Sequence, residues 1–283
     1  DLINREVLSF IKANKDNPFF VYYPTIIPHL ALHVPDEELK PYLKLGWNDP
    51  PFTKARGGGY TPHYTPRAAY AAMITRMDRY IGKVLKLLDE LGLTQNTIVV
   101  FTSDNGASHL KQEVDYDFFE SVGNLRGLKG SLYEGGIRVP LLVKWPKKIK
   151  GGIVSDKMSG FEDWLVSFHE LIEAKAPLSS YHDGWSLGPH LLGKPSGKRK
   201  FLYREFSGYG GQQAVWMGKW KGVRQNIIRK KKASLKIELY DLSMDESESR
   251  GLASRYPDIV SKIENIMENE HIPSSEFPMK GID

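Results

Sequence analysis

Cysteine is absent from the 283 residues, which excludes disulfides, thiolate metal sites and cysteine nucleophiles within the chain. Long apolar runs are missing too. Nothing approaches the roughly 20 uninterrupted apolar residues that a membrane-spanning helix needs, so no membrane partner is expected. The chain shows no internal repeat and no low-complexity segment. Charge is only mildly one-sided, at net +5 with a pI near 9.0, which favours anionic partners without singling out nucleic acid. The densest basic run, Arg229-Lys230-Lys231-Lys232, has no aromatic stacking platform or recognition helix beside it. It reads as a solvated hairpin tip, and no nucleic acid partner is expected. The start of the chain lacks the charged head and cleavage site of a secretion signal. Asp1 to Ala13, with Leu2, Val7, Leu8 and Ile11, reads as an amphipathic helix instead.

What is present is an ordinary globular composition, 41% hydrophobic and 26% charged, enough for one large core or a core with a small satellite. Phe19-Phe20-Val21-Tyr22-Tyr23 reads as a strand buried on both faces, bounded by Pro18 and Pro24. Thr65-Pro66 opens a helix whose apolar stripe runs through Ala69, Met73, Met77, Ile81, Leu85 and Leu88, and Gly92 ends it. Thr97 to Thr102 is a second apolar strand, so strand, helix and strand should form a right-handed parallel crossover. Val139 to Val143 suggests a third strand, and Trp164 to Ile172 a further helix. Beyond Gly193-Lys194-Pro195-Ser196-Gly197 the texture changes to short strands at 201–206, 214–217, 220–225 and 237–242, with Gly218-Lys219 as a tight turn and a helix over 259–267. The expected division is an α/β core over residues 1–195 and a small antiparallel α+β domain over 196–283.

The chemistry-bearing residues gather at strand ends, where open parallel sheets place their ligands. Ser103-Asp104-Asn105-Gly106 leaves one strand there. Taken alone it reads as an ordinary turn. An Asp followed by an Asn nevertheless offers two oxygen ligands of different charge, which suits a hard cation such as calcium or magnesium better than zinc. The segment from Leu125 to Pro140 interleaves four glycines with three cations and runs into a core strand. It could cradle an oxyanion, with glycines letting the backbone approach the ligand and Lys129 as a point charge; Arg126 fits a solvated surface cation as well. His29 follows the first strand closely enough to reach the same edge.

At these residues the chain resembles the type I sulfatases of the alkaline-phosphatase-like superfamily. The resemblance runs from Asn17-Pro18-Phe19-Phe20 and Pro28-His29, through Ser103-Asp104-Asn105-Gly106 and Leu125 to Pro140, to Glu238-Leu239-Tyr240-Asp241-Leu242. It implies an α/β/α sandwich, truncated at its N-terminal side, with the antiparallel domain appended. It further implies that Asp104 and Asn105 ligate calcium, magnesium being the lesser choice, and that His29 and Lys129 bind the sulfate and assist the leaving oxygen. The Glu238 to Leu242 segment would be structural. The substrate would be a sulfated small molecule or glycan, and the location periplasmic or secreted. His33 and His109, with Trp47, His63, Arg67 and Tyr133, lie in loops that could line a sugar subsite. Arg138 could hold the Gly-rich loop through a carbonyl or a carboxylate.

Such sulfatases also carry a paired-aspartate metal motif and a Cys- or Ser-x-Pro-x-Arg segment whose first residue becomes the formylglycine nucleophile. Neither motif is in this sequence. The expectation is that an N-terminal segment is missing or lies in another chain, that the chain alone is inactive, and that an uncovered sheet edge leaves it marginally stable or prone to aggregate. Competing readings are a phosphomonoester or phosphonate hydrolase of the same superfamily, and a non-catalytic module that binds sulfated glycans.

Overall fold

The computed structural model describes residues 2–53, 59–180, 182–228 and 233–283. In chain order the elements are α1 (Leu2–Ala13), α2 (Asp36–Leu43), α3 (Pro66–Glu90), β1 (Val99–Thr102), α4 (Glu134–Ile137), β2 (Leu141–Lys144), α5 (Asp163–Leu171), α6 (Gly188–Leu191), β3 (Leu202–Phe206), β4 (Gln212–Met217), β5 (Trp220–Gln225), β6 (Ile237–Asp241) and α7 (Pro257–Glu270). Packing groups them into two compact units. One holds Asp1–Val100, Ser108–Ser121 and Val143–Lys148; the other holds Phe101–Ala107, Val122–Leu142 and Ile149–Asp283. This partition differs from the division at residue 195, because residues 122–142 pack on the C-terminal sheet.

In the first unit the amphipathic face of α1 meets the end of α3. Ile11 is buried with Leu87 and Leu88, and Val7, Leu8, Phe19 and Val21 close around them. Pro66 occupies the first turn of α3, and the free N–H groups there are met from a distance: the Asp49 carboxylate accepts from the N–H of Arg67 and of Ala68, both at 2.9 Å. Ala69 and Met73 pack with Leu32 farther along. At the other end Gly92 takes φ +69°, and the N–H of Leu93 donates to Leu88 at 2.8 Å, closing the last turn.

Phe19 to Tyr23 is not a strand. Phe19 and Val21 join the cluster with Ile11, whereas Phe20 and Tyr22 stand 70% and 67% exposed. The alternation is that of extended chain with one covered face, and a doubly buried strand needs neighbours on both. The expected strand–helix–strand crossover is therefore not formed among the described residues. β1 pairs instead with β2 in a two-stranded sheet, and Leu142 of β2 is 61% exposed where a core position was expected.

The second unit contains the expected antiparallel sheet, in the order β3-β4-β5-β6. Met217 faces Trp220 across the Gly218-Lys219 turn. Strand periodicity sends Val215, Ile237 and Leu239 to one face, onto Ile263 and Met267 of α7. Each fully buried apolar side chain of this kind contributes about 1.5–3 kcal/mol. Ala214, Trp216, Val223 and Tyr240 face the other way and pack on Leu132 and Tyr133 of the Gly-rich segment. The basic run at 229–232 lies outside the described residues.

Candidate active site

The turn after β1 is ordered by its own polar groups. The Ser103 hydroxyl donates to the Asn105 carbonyl and the Asn105 side-chain amide donates to the Gly106 carbonyl, both at 3.0 Å. With its nitrogen engaged, Asn105 has Oδ1 left as an acceptor. Asp104 is exposed, and its carboxylate makes no hydrogen bond or ion pair among the described residues.

This turn is seated directly on the Gly-rich segment. The Gly106 N–H donates to the Gly136 carbonyl at 2.8 Å, and the Gly135 N–H to the Arg126 carbonyl at 2.7 Å. A Cβ on Gly106 would lie 2.1 Å from the Gly135 oxygen, and one on Gly136 would lie 2.1 Å from the Ser131 oxygen. Both glycines are required by backbone packing on backbone, and for Gly136 this replaces the expected approach to a ligand.

Lys129 is tied to the same turn, its N–H donating to the Ala107 carbonyl at 2.8 Å. Its half-buried side chain makes no hydrogen bond or ion pair among the described residues. One unit thus holds Asp104, Asn105 and Lys129 together through two backbone bonds.

Arg126 keeps part of its side chain in solvent, but its guanidinium is committed to the sheet and not to an anion. Its guanidinium donates to the Tyr240 hydroxyl at 2.7 Å and to the Glu248 carbonyl at 3.0 Å, lies 3.4 Å from Glu238, and stacks 3.8 Å from the centre of the Tyr133 ring. Tyr133 donates to Glu238 at 2.7 Å, so it belongs to the sheet contact and not to a sugar subsite; burial, then Glu238, pushes its phenol far up. Behind the loop, Lys221 is 0% exposed and lies 2.9 Å from Glu134 and 2.7 Å from Glu248. Trp216 donates its indole N–H to Glu134 at 2.8 Å, and Glu248 accepts the Glu134 N–H at 2.7 Å. Burial raises the Glu248 carboxyl although Lys221 pulls it the other way. Arg138 pairs with Glu246 at 3.5 Å and more loosely with Glu134, as a loop-holding role requires.

The first unit carries His29, His33 and His109, all exposed. His29 Nδ1 is 2.7 Å from the Leu30 carbonyl; a carbonyl only accepts, so Nδ1 carries a proton and the neutral ring presents its lone pair at Nε2. The Tyr60 ring meets the imidazole edge-on at 5.7 Å. His63 accepts the Thr65 N–H at Nδ1, and burial, aided by His33 and opposed by Asp49, holds it below the usual imidazole value. Arg67 is paired with Asp115 at 2.6 Å and lies over Phe118, on which Trp47 also packs, so these two candidates are engaged in structure. Among the described residues no group of three or more His, Cys, Asp or Glu is placed to hold a metal ion.

Residues 1–173 match the family model described as Sulfatase. The chain belongs to the sulfatase family. Residues 128–272 also match the C-terminal region of N-sulphoglucosamine sulphohydrolase. A Bacteroides thetaiotaomicron N-acetylgalactosamine-6-O-sulfatase is 29% identical over 282 residues, which is 95% of this chain and 50% of that protein. The solved structure of a sulfatase from a glycosaminoglycan-metabolism locus of the same organism superposes with TM-score 0.73 at 27% identity, over 95% of this chain and 54% of the other. That of Ps i-CgsB in complex with k-i-k-neocarrahexaose gives TM-score 0.75 at 25% identity, over 100% of this chain and 56% of the other. The fold is accordingly that of the alkaline-phosphatase-like sulfatases. The chain spans about half the length of the curated relatives it matches.

Proposed function

We propose that this sulfatase-family chain supplies one part of the active site of an enzyme that hydrolyses sulfate monoesters on sugars. The observation that carries the reading is the joining of Asp104, Asn105 and Lys129 by the Gly106–Gly136 and Lys129–Ala107 bonds, with the Asp104 carboxylate and the Lys129 ammonium both unengaged among the described residues. Sugar sulfates are the favoured substrates because one relative is named an N-acetylgalactosamine-6-O-sulfatase and one matched structure holds a neocarrahexaose.

The donor set fits a hard cation in kind: a free carboxylate beside an amide oxygen whose nitrogen is already committed. It is short in number, since calcium takes six to eight oxygen ligands. Asp104 and Asn105 would hold calcium together with ligands from elsewhere, magnesium being the lesser choice, and a bound cation would supply Lewis-acid polarisation of a sulfate oxygen. A formylglycine does not fit this chain, which has neither cysteine nor a Ser-x-Pro-x-Arg segment. The proposal therefore includes a complementary polypeptide, joined to this one or separate, that bears the nucleophile. Lys129 would offset charge on the sulfate. His29 Nε2 would donate to the leaving oxygen only as imidazolium, because Nδ1 already spends its proton on Leu30. His33 and His109 would contact the sugar. The family resemblance also supports a periplasmic or secreted location, which cell fractionation tests.

The test is hydrolysis of an aryl sulfate and a sulfated monosaccharide by the intact enzyme, meaning this chain with its complementary polypeptide, and by the 283-residue chain alone. We expect turnover only from the intact enzyme, loss of that turnover on chelation, and a fall in kcat of roughly 100- to 1,000-fold for Lys129→Ala. Asp104→Ala should raise the calcium concentration needed for half-maximal activity. Turnover by the chain alone, or a preference for phosphate monoesters, would overturn the proposal.

A further inference from the structure

The Gly-rich loop is held from behind by one residue that no motif marks. Gln212, the first residue of β4, is 1% exposed. Its Oε1 accepts the Leu132 N–H at 3.1 Å and its Nε2 donates to the Gly130 carbonyl at 2.8 Å. One amide thus clasps two peptide groups that flank Ser131, two residues after Lys129. Gln225 of β5 donates its own amide to Gln212 Oε1 at 2.8 Å and fixes the side chain from the sheet side. On the opposite side, Lys129 is bonded to Ala107 at 2.8 Å, next to the Asp104-Asn105 turn. From this we infer that Gln212 is a positioning residue for Lys129, setting how far the ammonium stands from the Asp104 and Asn105 oxygens. The inference rests on the reading of Lys129 as a sulfate-binding group.

The chemistry of the clasp explains why the residue is an amide. The clasp meets the Gly130 carbonyl, which accepts, and the Leu132 N–H, which donates, and a side-chain amide answers both at once. A carboxylate of the same shape keeps the Leu132 bond and sets an oxygen against the Gly130 carbonyl. That would release or displace the segment that begins at Lys129. Misplacement of about 1 Å is enough to cost a catalytic group roughly 100-fold.

The experiment is a double-mutant cycle in the intact enzyme, with Gln212→Glu and Lys129→Ala assayed on an aryl sulfate alongside thermal unfolding. We expect Gln212→Glu to lower kcat about 10- to 100-fold with a much smaller change in KM, and to have almost no further effect once Lys129 is alanine. If Gln212→Glu does not fold, Gln225→Met, which removes only the amide that steadies Gln212, takes its place, with a smaller loss expected and the same vanishing in the Lys129→Ala background. Effects that multiply independently would overturn the inference while leaving the role of Lys129 intact. A silent Lys129→Ala in an active enzyme would overturn the reading of Lys129, and the inference with it.

Discussion

The four-stranded sheet of the second unit and the two-stranded pair β1–β2, whose segments VVFT and LLVK are the more apolar, end in different surroundings. Leu239 in β6 is 0% exposed, covered by Ile263 and Met267 of α7, whereas Leu142 in β2 is 61% exposed. The first sheet finds a cover for each face within the chain, α7 on one side and the Leu132–Tyr133 segment on the other. The second has one partner strand, and two strands alone are marginal. An apolar run states that a segment is suited to burial; whether it is buried depends on which neighbours the chain delivers.

The comparison is broken most severely at the buried charge. Lys221→Met leaves Glu248, itself 0% exposed, without its counter-charge, and urea unfolding at pH 7 should show a loss of about 3–5 kcal/mol. A change within experimental error would mean that the Glu134–Lys221–Glu248 cluster does not hold the Gly-rich loop to the sheet.

A smaller effect is expected at Asp245. Burial pushes its carboxyl up, but hydrogen bonds from the Arg250 and Ser249 N–H groups and from the Ser249 and Ser247 hydroxyls outweigh this and hold it at about 2, against 3.8 for the free group. A carboxyl depressed in the folded state stabilises above the unfolded value, and that stability drains away as pH falls from about 4 towards 2. Asp245→Asn should therefore flatten the dependence of unfolding free energy on pH in this window. An unchanged slope would show that these bonds do not set the titration.

The smallest effect should come from the exposed apolar side chains of the first unit. Phe20→Ser and Tyr22→Ser are expected to change the unfolding free energy of this chain by no more than about 0.5 kcal/mol. A loss well above 1 kcal/mol, on the same scale, would mean that these rings are covered in solution and that the contrast between the two regions is overstated.

Much of the fold is legible locally. α3 could be placed from Pro66, the spacing of Ala69, Met73 and Leu88, and Gly92, because each acts within a turn or two. The β4–β5 hairpin follows from Gly218-Lys219 between apolar strands. The candidate site was legible only where residues adjoin: Asp104 with Asn105, and Lys129 within its glycines. The clasp of Leu132 by Gln212 joins residues 80 apart, and the Lys221–Glu134 pair residues 87 apart. A lone Gln or Lys in a strand carries no local signal of such a partner, and the same holds for Asp49 at the start of α3.

The sequence by itself determined α1, α3, α5 and α7, the antiparallel sheet, the sulfatase family and the candidate residues, since periodicity, turn chemistry and motif order are properties of neighbours along the chain. Only the tertiary structure decided that Phe19 to Tyr23 has one covered face, that Arg126 serves the sheet, that the glycines at 106, 135 and 136 face backbone, and that Gln212 stands behind Lys129. Each of these depends on which distant segment fills the space beside a residue, and that is settled by packing.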